Sequence, residues 1–182
     1  IWANNHIKDN PYQRIFYVLP FTASINGMYH RLEKEEFAVG KVDMKHGKSL
    51  YSYYNILLEN LKKNDMPTPY ENKSQIQANA RLMKQTSKEI CNPIKLVTPH
   101  QIIKAFFRVK GYETLLTEFY NANFILDEIH CYDGNLFSML ILSMQYIKKN
   151  LGGKLFIMSA TFPECMKEII AEKLEIKNNK DE

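Results

Sequence analysis

Long apolar runs are missing from this 182-residue chain. None approaches the roughly 20 residues that a membrane-spanning helix needs. The longest candidate, 136–147, is interrupted by Ser138, Ser143 and Gln145 and reads as a buried helix. Cysteine is also scarce. Cys91, Cys131 and Cys165 are far apart and odd in number, with no Cys-x-x-Cys pair or Cys/His cluster at metal-ligand spacing. That argues against a disulfide scaffold or a zinc module and for reduced intracellular thiols. His130 and Cys131 are adjacent, but two neighbours do not make a zinc site. The opening residues Ile1-Trp2-Ala3-Asn4-Asn5-His6 lack the charged-then-apolar pattern of a secretory leader, and no initiator Met precedes them. The expectation is a cytoplasmic chain that begins inside a longer protein. Internal repeats and low-complexity blocks are absent.

What is present suits one α/β domain. With 45% hydrophobic and 24% charged residues the chain can bury a substantial core. A net charge of +4 is compatible with a polyanion partner but too ordinary to indicate one. Short apolar or β-branched runs predict strands at 14–19, 41–45, 94–98, 123–126 and 154–158. Apolar residues at three- and four-residue spacing predict helices at 24–37, 50–63, 74–90, 100–109, 136–150 and 163–174. Pro99 suits the first turn of one helix, and Gly152-Gly153 suits a stop after another. Alternating strands and helices imply a mainly parallel sheet with helices on both faces. The apolar runs 124–126 and 155–158 read as strands buried on both sides. The domain spans 1–176, with an excursion at about 62–92 and a polar tail at 177–182.

Two strand ends carry chemistry. Asp127-Glu128-Ile129-His130 follows Phe124-Ile125-Leu126, and Ser159-Ala160-Thr161 follows Leu155-Phe156-Ile157-Met158. In an open parallel sheet, ligands bind beyond the carboxyl ends of the strands. There Asp127 can hold Mg²⁺ through a water while the metal bridges phosphates of ATP. Glu128 can orient and deprotonate the attacking water, and His130 can reach a neighbouring strand. The hydroxyls of Ser159 and Thr161 can bond to that acidic turn. Taken singly, each motif also reads as a solvated turn or a strand end running into a helix. Leu19-Pro20-Phe21-Thr22-Ala23-Ser24 and Val97-Thr98-Pro99-His100-Gln101 are strand ends that pass through Thr into a helix start. Such corners bind phosphate and suit single-stranded nucleic acid; capping by Thr22, Ser24 or Thr98 is equally good physics. Lys45, His46 and Lys48 extend a basic surface or a solvated loop. His6 and His30 read as structural or surface groups; Asp133 could orient His130 or, the preferred reading, cap a helix near Gly134. One element is missing: no Gly-x-x-x-x-Gly-Lys-Ser/Thr phosphate cradle occurs. Gly47-Lys48-Ser49 lacks the earlier glycine and follows the wrong element.

In their order, Tyr17–Ile25, Val97–Gln101, Asp127–Asp133 and Met158–Pro163 resemble the first RecA-like motor domain of superfamily 2 helicases of the DEAD/DEAH type. The Leu-Pro-Phe-Thr start, Tyr132-Asp133 and Phe162-Pro163 look most like the type I CRISPR helicase-nuclease. The resemblance implies a P-loop-type α/β fold lacking its first, cradle-bearing strand, and hence a sheet short of a central member. The residues Ile1-Trp2-Ala3 would be the tail of the helix after that cradle. It further implies that Asp127 and Glu128 bind Mg²⁺-ATP and activate water, and that His130 couples to Ser159 and Thr161. Pro20, Thr22, Ser24, Thr98 and His100 would lie along single-stranded DNA. The partners implied are a second RecA-like domain, an HD nuclease domain and an RNA-guided CRISPR surveillance complex. The leading expectation is therefore part of an ATP-dependent DNA helicase of CRISPR antiviral defence, inactive as an isolated chain. The alternative is a non-catalytic module that binds nucleic acid or a partner.

Overall fold

The computed structural model describes residues 13–35, 38, 40–63, 73–89 and 92–175. Expectations for Ile1–Trp2–Ala3, His6, Phe37, Cys91, the middle of the excursion and the tail lie outside the described residues. Five strands form a continuous all-parallel sheet: β1 (Ile15–Val18), β2 (Val42–Lys45), β3 (Ile94–Val97), β4 (Asn123–Leu126) and β5 (Lys154–Ile157), in the order β2-β3-β1-β4-β5. All five were legible as short apolar runs. The seven helices among the described residues are α1 (Thr22–Leu32), α2 (Ser49–Lys63), α3 (Lys73–Glu89), α4 (Pro99–Phe106), α5 (Tyr112–Phe119), α6 (Gly134–Asn150) and α7 (Glu164–Leu174). This α/β architecture is consistent with a RecA-like fold. Among the described residues no helix is long and apolar enough to cross a membrane.

The alternation of side chains along each strand divides the core in two. Phe16, Val18, Val97, Phe124 and Leu126 face one layer and pack with residues of α4, α5, α6 and α7. Leu19, Met44, Ile94 and Leu96 face the other and pack with α1, α2 and α3. Phe16 stacks on Phe124 at 5.1 Å, and Phe119 meets both rings edge-on. Each such ring removed from water contributes roughly 1.5–3 kcal/mol. Helix α3, the one helix expected within the excursion, packs against α2.

Three expectations need correction. The sheet has no central gap among the described residues, because every described strand hydrogen-bonds to its neighbour. β5 is not buried on both sides, since Phe156 keeps 38% exposure at the sheet edge. Helix α5 was left unassigned, although Tyr112, Leu115, Leu116 and Phe119 fall at helical spacing.

Glu118 is buried for a reason that lies on distant strands. Lys45 on β2 and Lys95 on β3 point to the same face, and their Nζ atoms reach Glu118 at 3.1 and 2.5 Å. Asn92 donates to Asp43 Oδ1 nearby at 3.0 Å. Burial alone would raise the Glu118 carboxyl, but Lys95 and Lys45 outweigh it and hold it low. Burial likewise pulls Lys95 down from 10.5 to about 8, against the upward pull of Glu118. Between these two values the unfolded chain holds the extra proton, so stability rises with pH. Urea midpoints are expected to climb from about pH 8 toward about pH 9 in the wild type, below the range where free tyrosines begin to ionise. The climb should flatten in Lys95→Met; an equal climb would contradict the assignment.

The turn into β5 sets where its far end lies. Gly152 has φ 68°, and a Cβ there would overlap Asn121 Oδ1; one on Gly153 would overlap Ile147 Cγ2. Gly152→Ala is expected to cost about 1–3 kcal/mol in chemical denaturation. Gly134→Ala, with open space around it, should change stability by no more than about 0.5 kcal/mol.

Candidate functional site

All five strands run the same way, so their carboxyl ends form one rim. Val18 is in register with Val97 on one side and with Leu126 on the other, and Leu126 with Ile157. The ladder continues one residue further: Leu19 N donates to Val97 O at 3.0 Å, Asp127 N to Val18 O at 3.0 Å, and Met158 N to Leu126 O at 2.8 Å. Asp127 therefore emerges between the Leu19-Pro20 turn and the Met158-Ser159 turn. The two polar strand ends expected to cooperate do lie side by side.

Asp127 is held by both oxygens. Oδ2 accepts from the Tyr17 hydroxyl at 2.9 Å, and Oδ1 from the Glu128 backbone N–H at 2.9 Å. Burial, then the Asp127 carboxylate, drives the Tyr17 phenol well above its ordinary range, so it stays a donor. Tyr132 is raised in the same way by burial and Asp127; its hydroxyl is 3.4 Å from the Asp127 carbonyl. Glu128 takes a left-handed backbone, φ 51° and ψ 44°, which is uncommon and strained for a side chain of this type. The short 3-10 turn Ile129–Cys131 follows, anchored by fully buried Ile129. This turn was not anticipated, and it is what folds His130 back over Glu128.

His130 Nδ1 lies 2.7 Å from Ser159 Oγ and 3.3 Å from Glu128 Oε2. Ser159 Oγ also lies 2.6 Å from the Thr161 carbonyl, to which it donates. A hydroxyl has one proton. With that proton on the Thr161 carbonyl, Ser159 can only accept from the imidazole, so Nδ1 carries the hydrogen. Glu128 Oε2 is a buried oxygen with no hydrogen bond among the described residues, set against that same N–H. The expected contact between His130 and the Ser-Ala-Thr turn is thus present through Ser159. For Thr161 the contact runs through its backbone carbonyl, not the hydroxyl that was expected to take part.

The corner residues are placed less tightly. Thr98 is the residue before α4 with Pro99 in the first turn, and its hydroxyl makes no cap bond. Phe21 holds the equivalent place before α1, so Thr22 is the first residue of that helix and neither corner is closed by a side chain. Pro20, Thr22 and Ser24 are half-buried on the rim beside Thr98. His100 departs from this group: it is exposed and lines a groove between α4 and α6 with Lys104, Phe107 and Asp133. Asp133 caps α6 as expected, accepting from Asn135 N and Leu136 N at 3.0 Å each. Tyr17 escaped the sequence reading as a partner of Asp127. No sequence signal pointed to it, because its place opposite Ile125, two residues before Asp127 on the adjacent strand, is set by register.

Long-range ¹H–¹⁵N spectra of neutral His130 should show the proton on Nδ1. A wild-type spectrum with the proton on Nε2 would contradict the contact chain.

No family model matches the chain, and no solved structure matches it. One curated relative does: a protein named CRISPR-associated nuclease/helicase Cas3 from Methanothermobacter thermautotrophicus, 23% identical over 172 residues. The match covers 93% of this chain and 18% of that relative's length. Sequence and fold together mark this chain as similar to a helicase-related region of a Cas3 protein.

Proposed function

We propose that the chain is part of an ATP-driven motor that moves on single-stranded DNA, carrying the acidic strand tip and the neighbouring strand that senses it. The observation that carries this reading is the contact chain Tyr17–Asp127, Glu128–His130, His130–Ser159, built across three adjacent parallel strands. Hard carboxylate oxygens suit Mg²⁺. Among the described residues no three His, Cys, Asp or Glu are grouped to hold a metal directly, so Asp127 would hold Mg²⁺ through water. Mg²⁺-ATP, when bound, supplies the phosphoryl group and neutralises its developing charge.

The remaining roles belong to this chain's own groups. Tyr17 orients one oxygen of Asp127 and keeps it an acceptor. Glu128, strained and with an unpartnered oxygen, is the base that orients and takes a proton from water. His130 reads the state of Glu128 and passes it to Ser159, and the Ser159–Thr161 turn shifts with it. Pro20, Thr22, Ser24 and Thr98 line the path of the DNA backbone, with free helix-start N–H groups facing phosphate; His100 borders that path from the α4 side. The likeness to a Cas3 protein supports a place in CRISPR interference, beside a second motor domain, an HD nuclease domain and an RNA-guided complex. The rival reading, a binding module without catalysis, draws on the missing Gly-Lys-Ser/Thr cradle.

The isolated chain is expected not to turn over ATP. Joined to a cradle-bearing strand and a second motor domain, it should hydrolyse ATP with stimulation by single-stranded DNA. Glu128→Gln in that setting should reduce kcat by about 100-fold or more. Unchanged turnover would remove Glu128 from the role of base.

A further inference from the structure

The rim has a second end. β2 lies at the sheet edge opposite β5, and the chain leaves it through His46-Gly47-Lys48 straight into α2. The first turns of α2 and the middle of α3 enclose a groove of about 440 Å³ lined by Leu50, Tyr51, Tyr54, Gln77, Ala80 and Arg81. Leu50 and Tyr54 are partly buried against the core below, which fixes the floor. Tyr51 is 65% exposed, although an aromatic ring of this size on a helix ordinarily turns inward.

Charge around the groove has one sign. Residues 46–58 and 74–85 contain Lys48, Arg81 and Lys84 and no Asp or Glu. Lys84 lies close enough to His46 to act on its ionisation. The first acid along α2 is Glu59, already set against His30 at 3.8 Å. An exposed aromatic face beside a guanidinium, in a field that favours anions, suits a nucleobase stacked on the ring with its phosphate held by the cations. A neutral or basic peptide, or a second copy of this chain with its net charge of +4, would gain nothing from that positive charge.

We propose that the Tyr51–Tyr54–Arg81 groove is a stacking platform for an unpaired base of a single-stranded nucleic acid. The strand would cross the rim from the Thr22 and Thr98 corners, because β3 lies between β1 and β2 in the sheet. This deepens the proposed motor reading and rests on it for the direction of the strand, but the platform itself needs neither ATP nor a second domain.

The test uses this chain with DNA and RNA 30-mers carrying 2-aminopurine, read by anisotropy and by fluorescence quenching. Stacking of one base is worth about 1–3 kcal/mol, so Tyr51→Ala should weaken binding by about 5- to 150-fold and relieve the quenching. Tyr51→Phe should retain both. Arg81→Glu should weaken binding and flatten its salt dependence. Quenching of either polymer that depends on Tyr51 supports the platform. Wild-type affinity and quenching in both Tyr51→Ala and Arg81→Glu would overturn it, as would binding of duplex as tight as single strand. If Thr22→Ala and Thr98→Ala lose binding while Tyr51→Ala does not, the platform falls and the motor reading survives. If Tyr51 matters while Glu128→Gln leaves ATP turnover unchanged, the reverse holds.

Discussion

The backbone ladder that runs from Lys45 through Val97, Val18 and Leu126 to Ile157 holds five distant chain segments in a single register. Most of the polar residues assigned to the site sit one to four residues beyond that line, with Tyr17 just inside it. A slip of one residue in any strand would turn its core face to the other side, moving Phe16 or Phe124 out of the aromatic cluster and Asp127 away from Tyr17. Burial of the two core layers is therefore also what aims the rim. The Gly152-Gly153 turn serves the same end, because its tight approach to Asn121 and Ile147 decides where β5 begins and so where Ser159 arrives.

On that rim, a shortage of protons organises the polar groups. Ser159 has one hydrogen, and the Thr161 carbonyl takes it; the imidazole of His130 must then donate to Ser159, which leaves Glu128 Oε2 facing a donor already committed. A carboxylate left partly unpaired in this way is poised to accept from another donor. The left-handed backbone at Glu128 is the strain that accompanies this placement. Tyr17 and Tyr132 are held protonated by burial and by Asp127; Tyr17 donates to the Asp127 carboxylate and Tyr132 to its backbone carbonyl.

Charge varies along the rim as well. Acidic groups gather at β4, while lysine and arginine gather beyond β2 around an exposed tyrosine. Beneath the basic end, Glu118 joins Lys45 and Lys95 in a place where apolar side chains would otherwise close the layer. Removing that carboxylate would leave two ammonium groups in low dielectric, a far larger cost than losing a surface pair.

Periodicity along the chain was enough to find all five strands and most helices, because apolar spacing is a local property that survives without neighbours. The acidic strand end, the Ser-Ala-Thr strand end and the Asp133 cap were readable for the same reason: each is a short polar group directly behind an apolar run. Helix α5 was readable too, from Tyr112, Leu115, Leu116 and Phe119 at helical spacing, and was overlooked; the burial of Glu118 was not readable, since Lys45 and Lys95 come to it from other strands. Nor was the exposure of β5, which depends on strand order and not on composition. The Tyr17–Asp127 bond, the turn that folds His130 onto Glu128 and Ser159, and the choice of the Thr161 carbonyl over its hydroxyl needed the fold. These contacts join residues far apart in the sequence, and only hydrogen bonding between non-consecutive strands decides which of them meet.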